Sequence, residues 1–117
     1  MKVLIADDQA EVRSALKVLL EHDNGQYVLD EAEEITSLLL KAEYEEPDLL
    51  LLDWELSNQP MADIVLTLRQ HFPGLKIIAL SGRPEAADAS KAAGVDVFVS
   101  KGENSDRLLD AIHTIIG

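Results

Sequence analysis

Residues 48–53 read Asp48-Leu49-Leu50-Leu51-Leu52-Asp53, an apolar run without alternation that closes on a carboxylate. A strand covered on both faces by helices reads this way, whereas a strand with one wet face alternates. Three other runs have the same form. Lys2-Val3-Leu4-Ile5-Ala6 ends at the acidic pair Asp7-Asp8, and Lys76-Ile77-Ile78-Ala79-Leu80 is closed by Ser81. Val95-Asp96-Val97-Phe98-Val99 is followed by Lys101. As parallel strands, the four runs have their C-terminal ends along one sheet edge, where open α/β folds hold their ligands.

Helical spacing fills the intervals. Val12, Ala15, Leu16, Leu19 and Leu20 make one stripe, and Ile35, Leu38, Leu39 and Ala42 a second. Ile64, Val65 and Leu68 follow, then Ala86, Ala89 and Ala93, and finally Leu108, Leu109, Ile112 and Ile115. Tyr27-Val28-Leu29 is a weaker strand between the first two helices. Pro47 precedes a strand, Pro73-Gly74 ends a helix, Gly94 suits a helix C-cap, and Asn104 or Ser105 can cap the last helix. The pattern predicts five βα units forming a doubly wound parallel α/β sheet, in one domain over residues 1–117.

Composition limits the functions open to this domain. A chain of 117 residues with 47% apolar content buries a real core, and no apolar stretch approaches a membrane span. The start Met1-Lys2-Val3-Leu4-Ile5-Ala6 lacks the basic head and long apolar stretch of a signal peptide, so a cytoplasmic location is expected. With no cysteine, disulfides and thiolate metal sites are excluded. A net charge of -12 argues against nucleic-acid binding by this chain, since duplex binding needs a basic face.

The strand-end residues make a chemical set. Adjacent carboxylates such as Asp7 and Asp8 repel unless a cation sits between them, and magnesium prefers hard oxygen ligands. Asp53 is the candidate nucleophile, because a carboxylate can attack phosphorus to give an acyl phosphate. Gly82 beside Ser81 lets backbone N–H groups approach an anion, and Lys101 can cancel charge on phosphoryl oxygens. Each residue alone has an ordinary alternative as a loop acid, a turn or a solvated lysine. Their shared edge carries the case. His22, His71 and His113 fall in helical segments, share no metal-ligand spacing and are expected to be surface histidines.

Asp7-Asp8, Asp53, Ser81 and Lys101 together resemble the pattern of the bacterial response-regulator receiver domain, the CheY-like family of two-component signalling, over essentially the whole chain. The resemblance implies a flavodoxin-like (βα)5 fold with strand order 2-1-3-4-5 and helices on both faces. It implies phosphorylation of Asp53 from a phosphohistidine on a sensor histidine kinase or phosphotransfer protein. Magnesium, with manganese as a second option, is then held by Asp8 and Asp53, by Asp7 through water, and by the backbone carbonyl of Glu55. Ser81 and Lys101 bind the phosphoryl oxygens, and Ser81 with Phe98 forms the switch. Glu55 and Arg83 take the two variable positions that tune the lifetime of the phosphorylated state. Asp53-Trp54-Glu55-Leu56 and Lys101-Gly102-Glu103 resemble receivers usually joined to a helix-turn-helix output domain, and any such domain is expected to be absent from this chain. The expected state is a monomer or a weak phosphorylation-dependent dimer, acting on an output domain or a downstream protein. Such a chain catalyses only its own phosphorylation and dephosphorylation and is not an enzyme acting on a free metabolite.

The chain departs from the family pattern at three positions. Gly102 follows the lysine where a proline, often cis, is common; a non-proline cis bond costs about 2.5–4 kcal/mol. Ser57 replaces a usual proline and Met61 a frequent glycine, changes that bear on loop shape. Three other readings are weighed against the receiver. A small magnesium-dependent aspartyl-phosphate phosphatase of the haloacid-dehalogenase type would want an aspartate at Glu55 and a substrate cap. In a flavodoxin, the phosphate loop would not carry Asp7-Asp8. A degenerate receiver serving only as an interaction module would not keep all five residues.

Overall fold

The structure, a computed structural model, describes residues 1–116; Gly117, the last residue of the expected domain, lies outside them. Strands β1 (Lys2–Ala6), β2 (Val28–Ala32), β3 (Leu49–Asp53), β4 (Lys76–Ser81) and β5 (Val97–Ser100) alternate with helices α1 (Ala10–Glu21), α2 (Ile35–Glu45), α3 (Met61–His71), α4 (Ala86–Ala93) and α5 (Ser105–Ile116). All strand pairs are parallel and the order is β2-β1-β3-β4-β5, the flavodoxin-like arrangement.

The central strand shows why its sequence does not alternate. Leu50 and Leu52 pack with Leu38 and Ala42 of α2 and Ile64, Val65 and Leu68 of α3. Leu49 and Leu51 face the other way, against Leu20 of α1 and Leu108 and Ile112 of α5. All four leucines are fully buried, so removing one is expected to cost about 2–5 kcal/mol. Met61, at the unusual family position, is buried in the first layer and fills it where glycine would leave space.

Several boundaries and faces differ from the sequence reading. The second strand spans Val28–Ala32 and excludes Tyr27. Its acidic residues Asp30 and Glu31 disguised it. On this edge strand they are paired with Lys41 at 3.0 Å, and with Arg13 at 2.9 Å and Lys17 at 3.0 Å. Charged side chains on an edge strand also blunt it against further pairing. The fifth strand begins only at Val97, because Asp96 turns its side chain to accept the Ile77 N–H at 2.8 Å. That carboxylate also accepts from Arg69 of α3 at 2.6 Å, which ties α3 to the bottom of β4. On α4 the buried residues are Ala86 and Ser90, while Ala89 faces solvent; Ser90 hides its hydroxyl by donating to the Ala87 carbonyl at 3.0 Å. Ala15 of α1 is likewise exposed. At α5 it is Asn104 that caps, its Oδ1 accepting the Asp106 N–H at 3.0 Å.

Gly94 ends α4 at φ 108°, in the left-handed region, and its N–H donates to the Lys91 carbonyl at 3.1 Å. Gly94→Ala is expected to lower stability by about 1 kcal/mol or more through backbone strain, since a Cβ there would meet Val65 Cγ1 only at 3.9 Å, an ordinary contact. Urea unfolding checks this, and an unchanged midpoint would show that the turn is indifferent to the side chain.

Candidate functional site

The sheet itself delivers the site residues. Beyond the strand ends, the ladder continues for one step each: Asp7 N–H to the Ala32 carbonyl at 3.0 Å, Trp54 N–H to Leu80 at 2.8 Å, and Lys101 N–H to Ser81 at 2.8 Å. Asp7, Asp53, Ser81 and Lys101 are therefore fixed by backbone bonds at neighbouring strand ends, while Asp8 stands at the exposed lip. Asp7 and Asp53 are buried, and carboxylate oxygens of Asp7, Asp8 and Asp53 lie within 4.8 Å of one another. Three hard oxygen donors so close, one open to solvent, fit a small divalent cation that keeps part of its water shell. The chemistry of the donor set matches magnesium.

Lys101 supplies the internal counter-charge. Its Nζ lies 3.0 Å from Asp7 Oδ2 and 3.0 Å from Asp53 Oδ1. Asp53 Oδ1 also accepts the Glu55 N–H at 3.1 Å, and Asp7 Oδ1 the Gln9 N–H at 2.9 Å. Burial raises the Asp53 carboxyl above its ordinary value, and the nearby Asp7 charge adds to this. The bonds from Lys101 and the Glu55 amide oppose the shift without cancelling it. For Lys101, burial alone would depress the ammonium, but Asp53 and Asp7 outweigh it and hold it above its usual value.

Ser81 is fully buried at the end of β4. Its hydroxyl donates to the Glu55 carboxylate, with Oε1 at 2.9 Å and Oε2 at 2.8 Å, and accepts the Arg83 N–H at 3.0 Å. The Arg83 guanidinium stands 3.8 Å from Glu55 Oε2 and is largely exposed. Glu55 and Arg83, the two lifetime-tuning positions, thus form a pair, but the tighter partner of Glu55 is Ser81. Phe98 is half-buried on β5, packed on the core layer shared by α2 and α3, as is Trp54. Nothing stands within 4 Å of where a Gly82 Cβ would be, so the flank of Ser81 is open. Ser57 accepts the Gln59 N–H at 3.0 Å and so shapes the loop after β3 itself. The Lys101–Gly102 peptide is trans, as are all peptides among the described residues.

One supporting residue escaped the sequence reading. Arg13 of α1 donates from Nη1 to the Asp7 carbonyl at 2.6 Å while its Nε holds Glu31. It braces the backbone that carries the acidic pair. Only the adjacency of β1 and β2 brings Glu31 within reach, so spacing in the chain offered no signal. The three histidines are exposed and outside the site, as expected. His22 and His71 bond carbonyls of their own helices, and His113 lies 2.9 Å from Asp23.

The raised carboxyl has a consequence for stability. A carboxylate raised in the fold weakens the folded state once it is ionised, and the penalty disappears as pH falls through its folded value toward 3.8. Asp53→Asn is therefore expected to melt higher than the parent at neutral pH in chelator, the gap narrowing over that acid range. Thermal melts in which the variant is equal to or below the parent at neutral pH would contradict the upward displacement of Asp53.

The family described as the response regulator receiver domain matches residues 3–113. The KDP operon transcriptional regulatory protein KdpE of Escherichia coli is 37% identical over 117 residues, covering 95% of this chain and 51% of the relative. The transcriptional regulatory protein ResD of Bacillus subtilis is 30% identical over 102 residues, or 86% of this chain and 41% of the relative. The chain spans about half the length of these curated relatives. Among solved structures, a CheY-like receiver domain protein from Methanospirillum hungatei superposes with a TM-score of 0.84 at 28% identity, covering 97% and 90% of the two chains. TrrA of Thermotoga maritima, solved in complex with Mg2+-BeF, gives 0.84 at 28% identity over 97% and 96%. With the family's pattern matched from the first strand into the last helix, the chain belongs to the response-regulator receiver domains of two-component systems.

Proposed function

We propose that this receiver takes a phosphoryl group onto Asp53 from a phosphohistidine of a sensor histidine kinase or phosphotransfer protein. The observation that supports it best is a buried carboxylate held 3.0 Å from a lysine ammonium inside a three-carboxylate cluster. Asp7, Asp8, Asp53 and the Glu55 backbone carbonyl would hold magnesium, with manganese as an alternative ion. When bound, the metal neutralises charge on the transferring group. An Asp53 oxygen forms the new O–P bond as the P–N bond of the phosphohistidine breaks, and the imidazole leaves to regain its neutral form. Lys101, already at the nucleophile, exchanges a carboxylate partner for a phosphoryl oxygen. Positioning and charge compensation are the whole of the catalysis. The chain turns over no separate substrate, so it is not an enzyme in the metabolic sense.

Signalling follows from the added charge, about -1.5 to -2 for a phosphorylated side chain. Ser81 moves to bond the phosphoryl group, and Phe98 turns inward into the space it leaves, a population shift of one bistable element. The readout is an output domain or a downstream protein, with this unit a monomer or a weak phosphorylation-dependent dimer. It is not itself a nucleic-acid binder. No helix among the described residues is long and apolar enough to cross a membrane, and a cytoplasmic site of action fits the intracellular donor. Glu55 and Arg83 stand over the path of a hydrolytic water and set how long the signal lasts.

Labelling tests this reading. Phosphohistidine on a kinase, or a small acyl phosphate, should label the parent in magnesium, and Asp53→Asn or chelator should abolish it. The label should decay faster in Arg83→Ala. Equal labelling of Asp53→Asn would move the acceptor elsewhere.

A further inference from the structure

The Ser81 hydroxyl has one proton, and Glu55 holds it. Both carboxylate oxygens lie within hydrogen-bond distance, 2.9 and 2.8 Å, while the hydroxyl oxygen is itself taken up by the Arg83 N–H at 3.0 Å. Ser81 is fully buried, so no bulk water is at hand to replace either partner. The serine is not waiting free beside the nucleophile but is bonded on both sides.

We propose that Glu55 is a positioning residue that keeps the receiver in its resting state by competing with the phosphoryl group for the Ser81 proton. The inference rests on the phosphoacceptor reading above and adds to it a specific opponent of activation. A phosphoryl oxygen and the Glu55 carboxylate are both anionic acceptors, and one proton serves one of them at a time. A phosphoryl group on Asp53 therefore shifts the switch only by the difference between its bond to Ser81 and the one Glu55 already makes. Glu55 has somewhere to go once it loses the serine, because the Arg83 guanidinium stands 3.8 Å from Oε2. The contact pairs the two events: release of Ser81 from Glu55 leaves the carboxylate free to close on Arg83 over the site mouth.

The test uses beryllofluoride, a phosphoryl mimic that is not hydrolysed, so equilibrium binding is read apart from signal lifetime. Its affinity for the parent and for Glu55→Ala is measured in fixed magnesium by calorimetry and by Trp54 fluorescence. Removing the competitor should tighten binding by about tenfold, the scale of one hydrogen bond to a charged group. In a Ser81→Ala background the same Glu55→Ala change should do nothing, because no proton remains to compete for. An equal gain in that background would show that Glu55 merely repels the anion, and no gain in the parent background would show that it does not oppose activation. Either result overturns the proposal. A parent that binds no beryllofluoride in magnesium would instead overturn the phosphoacceptor reading, and this inference with it.

Discussion

Two buried carboxylates and one lysine set the terms for the rest of the molecule. Asp7 and Asp53 come from different strands, yet Lys101 reaches both at 3.0 Å. Like charges brought together in a poorly hydrated place are costly, and a single ammonium cannot neutralise three acids. Asp53 is displaced upward first by its burial and further by the Asp7 charge, and the bonds from Lys101 and the Glu55 amide do not cancel the two. The site is thus short of positive charge, a condition that favours binding of a divalent cation.

Such a cluster holds only because the backbone around it is rigid. Five parallel strands packed on both faces leave the site residues no freedom to separate, and ladder bonds run one step past the strands to fix them. The order β2-β1-β3-β4-β5 makes β1 and β3 neighbours, and so sets the two acids side by side. Arg13 adds a brace from the helix behind. The bulk of the core, centred on Leu49 to Leu52, secures charges that it never touches.

Much of this was legible in the sequence because both the periodicity and the chemistry were redundant. Four non-alternating apolar runs ending in Asp7-Asp8, Asp53, Ser81 and Lys101 specify both a doubly wound sheet and its working edge. What could not be read depended on which distant residues meet. Asp30 and Glu31 look unlike a strand until their lysine and arginine partners are known. Asp96 looks like part of a strand but serves as a cap for β4. Ala89 looks like a core position, but the short helix α4 turns Ser90 inward and leaves Ala89 at the surface. The bond from Ser81 to Glu55 belongs to the same class. Both residues were singled out, but their contact exists only because β3 and β4 are adjacent and end level with one another.

The unbalanced charge at the sheet edge is tested most directly by magnesium titration followed through Trp54, the sole tryptophan and the neighbour of Asp53. The metal-free protein should show a saturable fluorescence change with a matching heat of binding, and Asp8→Ala should lose both. A parent that gives neither signal would mean that Lys101 alone satisfies the carboxylates and that no cation is wanted there.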